Sequence, residues 1–289
     1  MLITFDSKLL SSCHINFLFG AGVNGKAFPQ LNGFKKTNEF LSKQLGISVD
    51  DFEKSLDSLS EDKKREAIEC FKEEFEKYAN EIVFSSKSIK NIESMFVCFN
   101  NLVGKSENRT KTTKQVNIYS LNYDSIIEKV LQDNGFLVNV VSSTNIDNHN
   151  KFFNLIGYNS DIQTFVPTYL ISKLHGDINN PILPGVEKYD QILMANKFEI
   201  LFKMKEKLSR FNSVLFVIGY SGHDEHINRM INECVTCGLT VYWFKFSKDD
   251  KIPETLIGKV FDIENDGEDD TTDLCKRMVE KLWIKSLEE

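Results

Sequence analysis

The sequence lacks several features that would point to a membrane, a linker or a polyanion partner. It contains no run of 18 apolar residues, which is about the length that crosses a bilayer as a helix. Its five prolines and 15 glycines form no flexible linker, so we expect one domain over residues 1–289. The net charge of -7 disfavours direct nucleic-acid binding through phosphate neutralisation.

Close cysteine pairs are also scarce. Six cysteines are scattered along the chain, and the only close pair is Cys234 and Cys237. This pattern does not resemble a secreted disulfide framework, so we expect a reducing cytoplasm. The pair supplies half of a four-ligand zinc site, which His223 and His226 could complete only if their helix folded back. Ordinary structural roles for these four residues are the favoured interpretation, and no metal is expected.

Short β-branched or aromatic segments alternate with helical patterns throughout the chain. The predicted strands are residues 14–19, 116–121, 137–141, 169–174, 213–218 and 240–246. This alternation predicts an α/β fold with a doubly wound, mostly parallel sheet covered on both faces. Between the first two strands, residues 35–104 have amphipathic helical spacing, which predicts a helical insertion beside the sheet.

A glycine cluster, GAGVNG, follows the first predicted strand at residues 20–25. Glycine permits a tight turn and lets backbone N–H groups approach a phosphate at the carboxyl end of a strand. Gly20 and Gly22 are therefore candidate nucleotide contacts. A glycine turn without a ligand is the alternative interpretation.

Three further loops carry polar residues at the ends of predicted strands. Asn122 and Asp124 follow the second strand, His175 closes the strand at 169–174, and Gly219 and Ser221 follow the strand at 213–218. Taken singly, Asp124 is better explained as a helix cap and His175 as a structural histidine. Because parallel strands place their carboxyl ends at one edge, the four loops together predict a ligand site there.

The ordered motifs GAGVN, SLNYD, KLHGD, EKYDQIL and FVIGYSGHDEHIN resemble the sirtuin-like domain of bacterial antiphage-defence proteins. The resemblance spans about residues 12–235. It implies a Rossmann-like core that binds NAD as a substrate and cleaves it to nicotinamide and linear or cyclised ADP-ribose. The catalytic pair of the family falls on Asn122 and His175.

The resemblance also assigns residues to NAD binding. The glycine turn would lie against the diphosphate, Asp124 near the nicotinamide carboxamide, and the loop after residue 218 on the adenosine side. Asn24 replaces a serine that is common in the family and could still hydrogen-bond the ligand. The implied set of NAD-binding residues is Gly20, Ala21, Gly22, Val23, Asn24, Asp124, Gly219 and Ser221.

Two other functions are compatible with the resemblance. An NAD-dependent protein deacylase would use the same histidine, but the two cysteine pairs of a deacylase zinc module are missing between the motifs. A noncatalytic nucleotide-sensing subunit of a defence complex would not need the asparagine and histidine. For an NAD-depleting effector in antiphage defence, the resemblance implies control by homo-oligomerisation or by a partner such as an ATPase.

Overall fold

The structure is a computed structural model of the chain. It describes residues 7–46, 48–49, 52–141, 156–178, 180–181, 198–246, 251–263 and 270–286. The EKYDQIL motif at residues 187–193 lies outside the described residues.

A seven-stranded sheet forms the centre of the fold, and all of its strands are parallel. Its strands are β1 (His14–Phe19), β2 (Gln115–Ser120), β3 (Leu137–Val141), β4 (Thr168–Lys173), β5 (Ser213–Ile218), β6 (Thr240–Phe244) and β7 (Phe261–Ile263). They run in the order β7-β6-β5-β1-β2-β4-β3. The predicted α/β, doubly wound class is confirmed.

Nine helices flank the sheet within the described part of the chain. They are α1 (Ser7–Ser12), α2 (Lys35–Leu45), α3 (Phe52–Asp57), α4 (Glu61–Asn80), α5 (Lys87–Lys105), α6 (Ile126–Asp133), α7 (Phe198–Leu208), α8 (Glu225–Thr236) and α9 (Thr271–Ser286). No helix among the described residues is long and apolar enough to cross a membrane.

The two faces of the sheet bury separate apolar clusters because alternate residues of a strand point in opposite directions. Phe17 and Phe19 of β1 pack beneath α5, where the Phe17 and Phe99 rings lie 5.0 Å apart. Leu18, between them, points to the opposite face, which α7 and α8 cover. Both faces of β5 are buried, so neither face needs polar side chains in contact with water. This explains the uninterrupted apolar run of the strand.

The four helices α2–α5 fall between β1 and β2, where the sequence predicts a helical insertion. Phe71, Phe75 and Tyr78 lie one turn apart on α4 and pack around Phe34. The buried carboxylate of Glu74 accepts hydrogen bonds from the first backbone N–H groups of α2, at 3.1 and 3.0 Å. A negative charge at that helix end is stabilising, so Glu74 fixes α2 against α4.

The polar segment at residues 105–115 is only partly the exposed loop that its composition suggests. Arg109 is buried and donates hydrogen bonds to the backbone oxygens of Leu10, Cys13 and Thr113. The two terminal nitrogens of its guanidinium make these bonds, whereas its buried Nε has no hydrogen-bond partner. Arg109 therefore ties the loop to the end of α1.

Candidate active site

A cavity of about 1650 Å³ opens at the carboxyl edge of the sheet. It lies where the chain order of the strands reverses, since β1 has β2 on one side and β5 on the other. The loops after β1, β2, β4 and β5 all line it. The structure therefore brings together the four loops that the sequence singles out.

The glycines of two of these loops pack backbone against backbone. Gly22 N donates to Gly219 O at 3.0 Å, and a Cβ on Gly20 would lie 2.4 Å from that same oxygen. Gly219 has a φ of +68°, and a Cβ there would lie 2.1 Å from Val23 N. These glycines are thus required for loop packing whether or not a phosphate binds.

The remaining residues of the two loops differ in exposure. Ala21 and Ser221 are exposed and line the cavity, as does the buried Asn24. The Val23 side chain is fully buried in the apolar core and does not line the cavity. Any contact of Val23 with a ligand would therefore have to come from its backbone.

Asp270, just before α9, fixes the loop after β1 from behind. Its carboxylate accepts hydrogen bonds from Lys26 N at 3.1 Å, Ser88 Oγ at 2.6 Å and Thr272 N at 2.9 Å. Burial opposes ionisation of Asp270, but these hydrogen bonds outweigh it and hold the pKa of the carboxyl below its ordinary value. Through the bond to Thr272 N, Asp270 also caps the amino end of α9.

Asn122 and His175 lie side by side at the ends of neighbouring strands. Ser120 of β2 is in register with Lys173 of β4, and each candidate residue follows two positions later. Both are 6% exposed and both line the cavity. Adjacent strands are about 4.8 Å apart, so the two side chains can act on one small ligand.

The amide of Asn122 is buried with neither polar atom satisfied. Its Oδ1 and Nδ2 have no hydrogen-bond partner, although its backbone N–H bonds Ser120 Oγ at 3.2 Å. Buried polar side-chain atoms in proteins are usually paired, and exceptions need an explanation. A ligand in the cavity would supply the missing partners.

Asp124 is held by the protein on several sides. Its Oδ1 accepts from Ile126 N, the first backbone N–H of α6, at 3.0 Å, and its Oδ2 accepts from Asn24 Nδ2 at 2.7 Å. Ser125 occupies the N-cap position of α6 without a side-chain capping bond. Lys173 Nζ donates to its backbone oxygen and lies 3.0 Å from Glu128 Oε1. Asp124 therefore satisfies the first backbone N–H of α6 and also lines the cavity, while its contact with a ligand stays a prediction.

Sequence reasoning did not assign a role to Asp224. Its Oδ1 lies 3.7 Å from His175 Nε2, and its side chain makes no capping bond although it precedes α8. Tyr220 Oη holds the backbone here, since it accepts from Asp224 N at 3.1 Å and donates to Asn228 Oδ1 at 3.0 Å. The sequence did contain a signal for this role, because Asp224 is a carboxylate in the loop after β5, five residues beyond Gly219.

The helical insertion and the segment just before it supply an aromatic wall to the cavity. Phe28 and Phe75 pack with ring centroids 5.0 Å apart, and Phe71 contacts both Phe75 and Tyr123. The lining aromatic residues from this side are Phe28, Phe34, Phe52, Phe71 and Phe75. Pro29 also lies on this wall. Through the contact of Phe71 with Tyr123, this wall meets the loop after β2.

No group of three or more histidine, cysteine or acidic side chains placed to hold a metal occurs in the described ranges. Cys234 and His226 lie on α8, eight residues and about 12 Å apart along the helix. Cys234 is buried with its Sγ 3.4 Å from Ser209 Oγ, whereas Cys237 is exposed. The helix does not fold back, so these residues do not form the four-ligand group.

Comparison with known proteins found a family match over the middle of the chain. Residues 116–255 match the family model of a SIR2-like domain, and Sir2-like proteins use NAD. A solved structure described as "Structural Basis for the Mechanism and Regulation of Sir2 Enzymes" aligns at 12% identity, with a TM-score of 0.45, over 97% of this chain and 96% of its own. No match was found among curated proteins. The matched residues include Asn122, His175 and Asp224.

Proposed function

We propose that this chain is a cytoplasmic NAD glycohydrolase that cleaves NAD to nicotinamide and ADP-ribose. The observation that carries the proposal is the unpaired amide of Asn122, buried beside His175 in a cavity at the carboxyl edge of the sheet. The SIR2-like match over residues 116–255 supports NAD as the substrate.

Cleavage of this bond does not require a strong general acid. When the bond between the ribose carbon and the nicotinamide nitrogen breaks, its electron pair neutralises a ring nitrogen that starts cationic. Positive charge then builds on the ribose carbon, as in glycoside hydrolysis. The site must hold the ribose, admit one water and exclude the rest.

Asn122 and His175 suit these two tasks. The Asn122 amide offers a donor and an acceptor and can position the ribose or the attacking water. Neutral His175 accepts the proton of the water as the new C–O bond forms, and the nearby carboxylate of Asp224 stabilises the resulting imidazolium. The aromatic wall limits the access of further water.

The direct test is chromatography of NAD after incubation with the purified chain and with the variant His175→Ala. We expect nicotinamide and ADP-ribose to appear together with the wild type and to be absent with the variant. The variant should unfold at the wild-type denaturant midpoint. Intact NAD recovered from the wild type would instead favour a noncatalytic nucleotide-binding role.

We also propose that the activity serves antiphage defence and is controlled by self-association or by a partner such as an ATPase. The resemblance of the ordered motifs supports this role. Uncontrolled NAD loss would damage the host, so a control step is needed. Constitutive NAD cleavage by a monomeric preparation would argue against such control.

A further inference from the structure

Lys173 is a buried lysine on β4, two residues before His175. It is 2% exposed and does not line the cavity. An ammonium group that is removed from water costs free energy unless it is paired and hydrogen-bonded. Apolar residues of similar volume often replace a buried ion pair without loss of stability. Stability alone therefore does not explain a lysine at this position.

The Lys173 ammonium group is bound by the segment that follows β2. Its Nζ donates a hydrogen bond to the backbone oxygen of Asp124 and lies 3.0 Å from Glu128 Oε1, in the first turn of α6. Glu128 is itself buried, and a buried ion pair is screened much less by salt than an exposed one. Lys173 therefore joins β4 to the loop after β2 by a bond and an ion pair that are shielded from water.

The backbone pairing of β2 with β4 ends just before the candidate catalytic pair. Ser120 is in register with Lys173, and the next backbone N–H of β4 donates to Ser120 O at 2.8 Å. Asn122 and His175 both lie beyond this bond, one on each segment. The Lys173 side chain reaches further, since it contacts Asp124, two residues past Asn122. It therefore acts where the strand pairing no longer sets the spacing of the two segments.

We infer that Lys173 is a positioning residue that fixes the distance between the Asn122 amide and the His175 imidazole. The inference rests on the proposed function and deepens it, because it assigns a residue that holds the two catalytic groups in place from behind the cavity. Both groups lie two residues from an atom of this contact, so its loss should move one relative to the other. A displacement of about 1 Å in an active site can slow a reaction about 100-fold.

Steady-state cleavage of NAD by Lys173→Met tests the assignment. Methionine keeps an unbranched apolar side chain and removes the ammonium group. We expect kcat to fall by about 10- to 100-fold, because the catalytic pair is misplaced. KM should stay near its wild-type value, since Lys173 does not line the cavity. A fall in kcat at constant KM indicates the loss of an interaction that acts in the transition state rather than in substrate binding.

The double variant Lys173→Met with Glu128→Leu separates positioning from stability. Lys173→Met alone leaves the buried Glu128 carboxylate without its cation, which should lower the free energy of unfolding. The double variant removes that unpaired charge, so it should regain most of the lost stability while kcat stays low. Recovery of kcat together with stability would overturn the assignment.

Lys114→Met is the matched control at the amino end of β2. Lys114 is 7% exposed, and its Nζ donates to the backbone oxygens of Gly104 and Phe165 at 3.2 and 2.8 Å. Its loss should lower the free energy of unfolding but leave kcat per folded molecule at the wild-type value. A wild-type kcat in Lys173→Met, or an equal fall of kcat in both variants, would overturn the assignment alone. If the wild type cleaves no NAD, the proposed function fails and the assignment fails with it.

Discussion

Two groups of buried amide side chains lie on or just beyond β1 and β2, and they differ in how their polar atoms are used. In the amino-terminal half of the strands, Asn16 Nδ2 donates to Val214 O at 3.0 Å and Asn16 Oδ1 accepts from Asn117 at 2.9 Å. Asn117 Oδ1 accepts in turn from Gln115 Nε2 at 2.7 Å, and this series ends at the unpaired Gln115 Oε1.

At the carboxyl edge of the same strands, the side chains of Asn24 and Asn122 keep open positions. Asn122 pairs neither polar atom and Asn24 pairs one of two, although both residues are buried. Unsatisfied buried polar groups cost free energy. The amino-terminal group therefore contributes to stability, whereas the carboxyl-edge group lowers stability, as expected if these atoms bind the proposed substrate.

The largest expected effect comes from Asn122→Ala. Removal of both unpaired atoms should lower the initial rate of NAD cleavage by about 100-fold, the scale on which misplacement of a reacting group slows a reaction. The free energy of unfolding in urea should not fall, because no protein hydrogen bond of the Asn122 side chain is lost. A large loss of stability with a wild-type rate would instead place Asn122 among the amides that stabilise the fold.

Asn117→Ala should produce the opposite result. It leaves Asn16 Oδ1 and Gln115 Nε2 without the partner they have now, which should cost about 1–3 kcal/mol of unfolding free energy. The rate of NAD cleavage per folded molecule should be unchanged. Asn139→Ala is the control, since Asn139 lies on the edge strand β3 with an unpaired Nδ2 and should cost less.

Asp224→Asn tests whether the Asp224 carboxylate acts on His175 at the carboxyl edge. A carboxylate 3.7 Å from His175 Nε2 favours the protonated imidazole. Without that charge, the acidic limb of the pH–rate profile should move to lower pH by up to about one unit. Asparagine still suits the position before α8, so stability should hold.

Glu225→Gln is the matched control for Asp224→Asn, because Glu225 lines the same cavity. It should leave the acidic limb in place. A limb that moves equally with both substitutions would mean that general charge on the cavity rim, rather than the Asp224 carboxylate, acts on the histidine.

Much of the sheet could be predicted from the sequence because its strands are buried on both faces. The predicted bounds of β1, β3 and β5 are confirmed, while β2 and β4 begin and end one residue earlier than predicted. β6 ends at Phe244 rather than at residue 246. The three-residue strand β7 was missed, since two of its three residues are exposed and it has no apolar run.

Two short hairpins were missed for a related reason. Gly157–Asn159 pairs with Thr164–Val166, and Gly176–Asp177 pairs with Asn180–Pro181. Strands of two or three residues carry no periodicity that a sequence pattern can register. The strand order could not be predicted either, because it depends on pairings between segments about 100 to 200 residues apart.

The candidate site also has a part that the sequence predicts and a part that it does not. Its four loops could be predicted because each follows a recognisable buried strand, and the carboxyl ends of parallel strands meet at one edge. Pairings between distant residues could not be predicted. The contacts of Asn24 with Asp124 and of His175 with Asp224 join residues on different loops, and only the fold brings them together.

The smallest expected effect concerns His14, at the amino end of β1 and far along the strand from the cavity. Burial, with the positive charges of Arg210, Lys207 and Arg109, lowers the pKa of His14 to about 4, from an ordinary value of about 6.5. The unfolded chain therefore binds this proton at a higher pH than the folded protein. The free energy of unfolding that depends on neutral His14 is therefore fully present above about pH 6.5 and is lost progressively as the pH falls towards 4.

In urea titrations at pH 7, 5.5 and 4.5, the free energy of unfolding of His14→Gln should fall less on acidification than that of the wild type. His223→Gln, on the exposed cavity rim, should follow the wild-type slope. An unchanged slope for His14→Gln would show that this half-buried histidine does not govern acid sensitivity.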